Sequence, residues 1–322
     1  MENFLEIFSS IFLYSRVFGL APFTFTKDHI KASSKWTRYS YFILFLNFIA
    51  QILNQKVFIF YYDKKDKLKY FSRLCNLVST PLNSIVSPVV YLYNNPIFND
   101  LKLLNQILLE IREKIKLEDL KFLKFISFVT ISISITIAIT LPLIQCNCTS
   151  YIPGTVKWYD YTFRCSSLIS RCGLMTAMCA QFITHLFVIR FIYQAINNNI
   201  KVVKIRPTQR KMSSSEIKNC VLVIKNLRIC DYKLKDLMGK INKSFGTYNL
   251  LVALNSFVES NYVVVYEHIF EEYTCQSLVS NYWIIFSVVL MLGSLAPPVL
   301  LKKTVSTNLV MYVTICDGLC LV

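Results

Sequence analysis

The chain has 322 residues, of which 54% are hydrophobic and only 17% are charged. Soluble domains of this size carry about a quarter charged residues, so this balance argues against a soluble globular protein. The formal net charge of +16 would also suit a nucleic-acid-binding protein, but no zinc-ligand spacing or recognition motif accompanies it. Basic cytoplasmic loops of a membrane protein explain the charge more simply, and no nucleic-acid partner is predicted.

The N-terminal segment, residues 1–38, is predicted to lie in the cytoplasm. Its first 23 residues are fairly apolar, but Glu2, Glu6 and Arg16 interrupt them and no basic stretch precedes them. A cleavable signal peptide needs such a basic start, so this class is excluded. We interpret the segment as an amphipathic helix at the cytoplasmic membrane interface, ending near Gly19 and Pro22.

Six apolar runs are long enough to cross a bilayer, which takes about 20 residues. They lie near residues 39–60, 74–93, 125–144, 172–192, 245–266 and 279–300. The second contains Pro81 and Pro88, whose disrupted backbone must be satisfied by neighbouring helices or water. The predicted fold is an all-α, polytopic transmembrane helical bundle over residues 39–301, followed by a short C-terminal tail at 302–322.

The distribution of Lys and Arg predicts the orientation of this bundle. Of the 35 basic residues, 26 fall on one side of the spans and eight on the other. Because cytoplasmic loops are enriched in Lys and Arg, the N-terminus is predicted to be cytoplasmic. The longest cytoplasmic stretch, residues 194–243, predicts a helix from Ser213. Its apolar stripe (Ile217, Val221, Ile224, Leu227, Leu234, Leu237) indicates a helix that either enters the fifth span or meets it near Gly239.

Two modification sites follow from this orientation. The tripeptide Asn147-Cys148-Thr149 falls on the outer side, where Asn147 is a predicted glycosylation site. Cys146, Cys148, Cys165 and Cys275 are predicted in outer loops, where oxidation can occur. We expect a bridge between the second and third outer loops, although the sequence does not choose the pair.

Catalytic motifs are lacking in the sequence. His29, His185 and His268 are far apart and have no acidic partners at a suitable spacing, and no nucleophile lies beside a base. No enzyme activity, cofactor or metal site is predicted.

Polar side chains within the spans are the best candidates for a ligand site, because such groups are costly in lipid and tend to face the bundle interior. Together they would line a cavity that is open to the outside and binds a small polar or amphipathic molecule. Interhelical hydrogen bonds and interfacial anchoring are the alternative explanation for each of them. The candidate ligand-binding residues are Glu259, Asn261, Tyr262, Gln181, His185 and Tyr282.

Two segments resemble insect gustatory receptors. The run Gly19-Leu20-Ala21-Pro22-Phe23 is similar to the G-L-x-P-F lead of that family. The fifth-span entry of the family is similar to the run Ile241-Asn242-Lys243-Ser244-Phe245-Gly246, followed by Leu250-Leu251, Phe257, Tyr262 and Tyr266.

The resemblance implies a ligand-gated cation channel subunit in the plasma membrane of chemosensory neurons. Each subunit would bind a small-molecule tastant in its outer half and contact membrane lipid. Related subunits would assemble as a homo- or hetero-tetramer around a central pore. In that family a seventh helix with a Thr-Tyr…Gln-Phe signature lines the pore. Here the apolar stretch after Lys302-Lys303 is only Leu309 to Cys316, so the resemblance predicts a truncated chain that does not conduct by itself.

Two alternatives stay open at this point: an insect odorant receptor, and a G-protein-coupled receptor or transporter. An insect odorant receptor shares the inverted topology, although its longer second outer loop and different C-terminal motifs fit this chain less well. A G-protein-coupled receptor needs an outer N-terminus, and a transporter usually shows an internal repeat, which the two halves of this sequence do not contain.

Overall fold

The structure, a computed structural model, describes residues 5–25, 30–61, 117–149, 158–209 and 228–241, with scattered helical positions at 103–107 and 215–246. In chain order these residues form helix α1 (Leu5–Val17), strands β1 (Phe23–Phe25) and β2 (Ile30–Ala32), and helices α2 (Ser34–Tyr61), α3 (Leu117–Thr149) and α4 (Trp158–Gln209). Residues 228–241 form a further helical stretch. The predicted spans near 74–93 and 279–300, the fifth span beyond Gly246, and the tail at 302–322 lie outside the described residues.

Two of the described helices are long and apolar enough to cross a membrane, over Lys121–Ile144 in α3 and Tyr161–Ile196 in α4. The rest of the protein buries 89% of the most apolar window of α4 but only 28% of that of α3. Helix α4 is therefore central, whereas α3 presents a broad outer face that includes Phe122, Phe125 and Phe128. Such a face is unfavourable in water and favourable in lipid, which supports a helical membrane bundle.

Three threonine hydroxyl groups of α3 form hydrogen bonds within the helix itself. Thr130, Thr136 and Thr140 each donate a hydrogen bond to the carbonyl four residues earlier, at 2.7–2.9 Å. Lipid offers no partner for these hydroxyls, so this local bonding allows a threonine-rich sequence to remain helical in a membrane.

Helix α1 packs one face into the bundle and leaves the other uncovered. Ile11 and Phe12 are fully buried, whereas Leu13 and Val17 are exposed. The Tyr14 hydroxyl lies 2.7 Å from Thr176 Oγ1 in α4 and joins the two helices. The uncovered apolar side chains suit a helix that lies at the membrane interface, and that location stays a prediction.

Helix α1 ends through backbone geometry that requires a glycine. Gly19 has φ of 74°, and its N–H bonds to the Arg16 carbonyl while the Leu20 N–H bonds to the Ser15 carbonyl, at 3.0 and 2.9 Å. This pair of bonds is the Schellman motif, in which glycine adopts the left-handed conformation without a steric penalty. A Cβ at this position would also lie 3.0 Å from the Ser40 carbonyl oxygen of α2.

A short antiparallel hairpin follows, with Phe23 opposite Ala32 and Phe25 opposite Ile30. The sequence analysis did not predict these strands. Arg16 donates to the Phe23 carbonyl at 2.7 Å, and its guanidinium lies 4.3 Å from the centroid of the Trp36 ring. These contacts hold the hairpin between α1 and the start of α2.

The helix at 228–241 packs against α4, where the Tyr193 hydroxyl donates a hydrogen bond to Met238 Sδ at 3.7 Å. Leu234 and Leu237, predicted as part of an apolar stripe, are fully buried, but Val221 from the same predicted stripe is exposed. The helix passes through Gly239 without a break, so the predicted junction of two helices near this residue is not present in the described stretch. An i,i+4 ion pair between Asp231 and Lys235, at 2.8 Å, lies on this helix.

Candidate ligand-binding site between helices α2 and α4

One buried face of α2 carries amide side chains toward α4. The face repeats at helical spacing through Ser40, Leu44, Asn47 and Gln51, all buried. Nε2 of Gln51 donates a hydrogen bond to the Ser167 carbonyl of α4, at 3.1 Å. This bond fixes the position of α2 against α4.

The two helices run in opposite directions along this contact. At the cytoplasmic end, the turn after α1 touches both helices, because Gly19 lies against Ser40 and its neighbour Phe18 lies against Gly173. Gln51 and its α4 partner meet further out, closer to the end of α2 and the start of α4.

The helical rise then brings further polar residues to a common level. At 1.5 Å per residue, Asn47 lies about 6 Å on the cytoplasmic side of Gln51, and Arg171 lies about 6 Å on the cytoplasmic side of Ser167. We call these four residues, Asn47, Gln51, Ser167 and Arg171, the outer polar group.

Two members of the outer polar group have unused hydrogen-bonding capacity. Asn47 is 3% exposed, yet neither its amide nitrogen nor its amide oxygen has a hydrogen-bond partner. The Ser167 hydroxyl is 1% exposed in the same helix pair and also lacks one. An unsatisfied buried polar group costs about 1–3 kcal/mol, so such groups in native proteins call for an occupant or a function. The outer polar group therefore offers donors and acceptors to a small molecule.

Arg171 adds positive charge to the same level. Its side chain is buried in α4, and its guanidinium carries five N–H donors in a planar arrangement. A cation inside a membrane bundle favours oxygen atoms with partial or full negative charge. Hydroxyl, carbonyl or carboxylate groups of a ligand suit this environment.

The predicted ligand-binding pair Gln181 and His185 lies in a different part of α4. Nδ1 of His185 hydrogen-bonds to the Gln181 carbonyl at 2.6 Å, so Nδ1 carries the proton. The His185 ring packs beside Phe245, with 6.1 Å between ring centroids. Gln181 is five residues, or about 7.5 Å, beyond Thr176, where α1 is attached, on the side away from the start of α4. This pair is therefore further from the start of α4 than the attachment point of α1 is, and its part in an outward-open cavity stays a prediction.

Four other predicted ligand-binding residues, Glu259, Asn261, Tyr262 and Tyr282, lie outside the described residues. Asn147, the predicted glycosylation site, lies in the last turn of α3. Over the described parts of the chain, no three His, Cys, Asp or Glu side chains come together as a metal site would require.

Comparison with known proteins identifies the family. The sequence profile of the 7tm Chemosensory receptor family matches residues 8–299 of this chain. The chain belongs to that family. No curated protein sequence matches the receptor.

The fold of the receptor agrees with this assignment. It is similar to the structure of the insect olfactory receptor OR5 from Machilis hrabei, with a TM-score of 0.63 and 15% sequence identity. The likeness covers 93% of the receptor and 83% of the olfactory receptor chain. The predicted insect chemoreceptor family and the predicted helical membrane bundle are thereby confirmed, and the G-protein-coupled receptor and transporter alternatives are set aside.

The sequence analysis of the receptor missed the outer polar group. Asn47 and Gln51 are four residues apart, as are Ser167 and Arg171, so each pair lies on one helix face. This spacing was the available signal. The first pair lies inside the long apolar run of the first predicted span, and the second lies in the segment before the fourth predicted span.

Proposed function

We propose that this receptor is a gustatory receptor, a subunit of a ligand-gated cation channel that detects small-molecule tastants at the plasma membrane of chemosensory neurons. Membership of the chemosensory receptor family supports the channel assignment. The run from Gly19 to Phe23, which resembles the gustatory G-L-x-P-F lead, supports the gustatory class. The observation that carries a ligand site is the buried Asn47 amide, which lacks hydrogen-bond partners beside α4.

A tastant would bind at the outer polar group through paired donors and acceptors. The Asn47 amide offers both, the Ser167 hydroxyl adds a third group, and Arg171 favours an oxygen atom of the ligand. Gln51 already joins α2 to α4, so a ligand bound at the outer polar group would contact both helices. Such a bridge changes the relative energy of helix arrangements, which is what ligand gating requires.

Further residues are proposed to complete the cavity or to act in its gating. They are Glu259, Asn261, Tyr262 and Tyr282 near the outer ends of spans five and six, and Gln181 and His185 in α4. Assembly is proposed as a homo- or hetero-tetramer with related receptor subunits. The uncovered apolar face of α3 is available to contact lipid in such an assembly.

The second candidate function is that of an odorant receptor. It stays a candidate because the structure with a similar fold is that of an insect olfactory receptor, and the fold itself does not separate the two classes. The ligand separates the two candidates, since a gustatory receptor detects dissolved compounds of low volatility and an odorant receptor detects volatile ones.

The experiment is a current measurement in cells that express the receptor with related subunits. A panel of dissolved non-volatile compounds and a panel of volatile compounds are applied at matched concentrations, and the half-maximal concentration of each active compound is determined. We expect responses to the non-volatile panel. Responses confined to the volatile panel would assign the receptor to the odorant class.

The variant Asn47→Leu then tests the site with the identified ligand. We expect the half-maximal concentration to rise at least tenfold, because tenfold corresponds to about 1.4 kcal/mol, the free energy of one well-formed hydrogen bond. Ser40→Ala is the matched control, since Ser40 is buried on the same α2 face but lies near α1. Unchanged sensitivity in Asn47→Leu, at equal surface expression, would contradict a ligand at the outer polar group.

A further inference from the structure

Two cysteine side chains meet where α3 ends and α4 begins. Cys146 lies in the last turn of α3 and is fully buried, and Cys165 lies two turns into α4 and is 7% exposed. With Leu168 they form a small buried cluster, separate from the main core, against which Tyr161 packs. Both residues were predicted in outer loops, but the two helices extend far enough to include them.

The sulfur atoms are arranged on adjacent turns. Cys165 Sγ lies 3.9 Å from the Pro142 carbonyl oxygen, which is one helical turn before Cys146 in α3. The Cys146 and Cys165 thiols are also in hydrogen-bonding contact with each other. A disulfide has a sulfur–sulfur distance of about 2.05 Å, so the two contacting thiols must approach each other for the bond to form.

We propose that Cys146 and Cys165 form a disulfide bond in the mature receptor, which closes the outer connection between α3 and α4. The positive-inside rule places this end of both helices on the outer side of the membrane, so it faces an oxidising compartment during synthesis. This pair differs from the bridge predicted from sequence, which joined the second and third outer loops. Cys275 of the third loop lies outside the described residues.

The oxidant is the disulfide form of a secretory-pathway oxidoreductase. The thiolate of one receptor cysteine attacks one sulfur of that disulfide and forms a mixed disulfide, and the other sulfur of the oxidoreductase is released as a cysteine thiolate that stays on the oxidoreductase. The second cysteine of the receptor then attacks the receptor sulfur of the mixed disulfide and releases the oxidoreductase as a dithiol. The receptor loses two protons and two electrons, and the oxidoreductase disulfide gains both to become a dithiol.

The burial of the Cys146 thiol determines at which stage of folding the disulfide forms. It raises the pKa of the Cys146 thiol to about 12, and the contact with Cys165 acts in the same direction. Because the thiolate is the attacking species, a thiol that is buried in this way reacts slowly once the helices have packed. The bond therefore forms while α3 and α4 are assembling, and it is shielded from reductants afterwards.

The cross-link would hold the segment of α4 that leads into the outer polar group. Ser167 follows Cys165 by two residues, and Leu168 belongs to the same buried cluster. Fixing this turn to α3 limits the motion of the Ser167 hydroxyl relative to the bundle. The inference does not depend on the ligand or on the gustatory assignment.

The test uses the full-length receptor from insect cells. Membranes are treated with N-ethylmaleimide to block thiols, denatured, reduced, and labelled with maleimide-polyethylene glycol, which adds a gel shift for each cysteine that had been oxidised. We expect two additions in the wild-type receptor and none in Cys146→Ser or Cys165→Ser. Cys172→Ser is the control, because Cys172 is also buried in α4 but lies outside the cluster of Cys146, Cys165 and Leu168. This variant should retain both additions.

Peptide mapping of the wild-type receptor provides a measurement that needs no variant to fold. Proteolysis without reduction, followed by mass spectrometry, should yield the Cys146 and Cys165 peptides joined and two mass units below the sum of the reduced pair. Recovery of both peptides as N-ethylmaleimide adducts would overturn the proposal. A gel shift that disappears in Cys148→Ser or Cys275→Ser but persists in Cys146→Ser would overturn it as well.

Discussion

Substitution by alanine is predicted to change the stability of the receptor in opposite directions at two helical glycines. They are Gly173 in α4 and Gly239 in the helix at 228–241. A Cβ at Gly173 would overlap the Phe18 ring atoms Cζ and Cε1 and would lie 2.8 Å from its Cδ1. A Cβ at Gly239 would meet no atom within 4 Å. The substitution to alanine removes the same backbone flexibility at both positions, so the steric environment decides the difference.

The magnitudes follow from these environments. Alanine in place of glycine within a helix stabilises by about 0.5–1 kcal/mol, which is the expected gain for Gly239→Ala. At Gly173 the added methyl must displace Phe18, whose ring packs edge-on against Tyr14 with centroids 5.3 Å apart. Overpacking of this kind costs about 1–3 kcal/mol, so Gly173→Ala is expected to be a net destabilising change.

Thermal stability in detergent measures the effect. Receptor fused to a fluorescent protein is heated, and the fraction that remains monodisperse on size-exclusion chromatography gives a midpoint temperature. We expect Gly173→Ala to lower this midpoint and Gly239→Ala to raise it. In a Phe18→Ala background the obstacle is gone, so Gly173→Ala should no longer lower the midpoint. If Gly173→Ala stabilised the wild-type receptor as much as Gly239→Ala does, the close packing of α1 on α4 would be refuted.

Three further changes test the contacts of Tyr14 and Arg16 in α1 and the predicted orientation of the bundle in the membrane. Burial raises the pKa of Tyr14 from 10.0 to about 12, so its neutral hydroxyl stabilises the folded receptor fully below pH 10. This contribution, up to about 2–3 kcal/mol, is lost as the pH rises from 10 to 12. Tyr14→Phe should therefore reduce the fall of the midpoint temperature between pH 10 and 12, and an unchanged fall would contradict this prediction. Arg16→Lys should lower the midpoint temperature by removing the planar guanidinium and its contact with the Trp36 ring, at a cost of about 1 kcal/mol. An unaltered midpoint temperature would show that the packing around α1 does not depend on this contact. Asn147→Gln should abolish a glycosidase-sensitive gel shift, and an insensitive wild-type receptor would mean that the site is unused.

Local sequence signals were sufficient for several elements of this receptor. Gly19 after an apolar helix, with Pro22 following, correctly indicated where α1 ends, because the left-handed conformation at the helix terminus is a property of the local chain. Leu234 and Leu237 were predicted to continue an apolar stripe at helical spacing, and both are fully buried on a helix, because helical periodicity is a local property too.

Prediction failed where a decision depended on contacts between distant segments. The hairpin of β1 and β2 was missed because its strands are three residues each, and it is held by Arg16 and by packing against α1. The fourth span was predicted to begin near residue 172, directly after Arg171, and a charged side chain is costly in a lipid-facing helix. In the structure that arginine is buried among neighbouring helices, so the helix can begin at Trp158.

Apolar run length and charge asymmetry in the sequence predicted a helical membrane bundle with a basic cytoplasmic side, because both act through the bilayer and require no knowledge of packing. The resemblance of two short motifs added the insect chemoreceptor family. Which polar and thiol side chains meet depended on the packing between helices. Gln51 and its partner Ser167 are 116 residues apart in the sequence, and Cys146 and Cys165 lie on two different helices. Their proximity arises from the way α2, α3 and α4 pack, and helix periodicity within one segment carries no information about the partner segment.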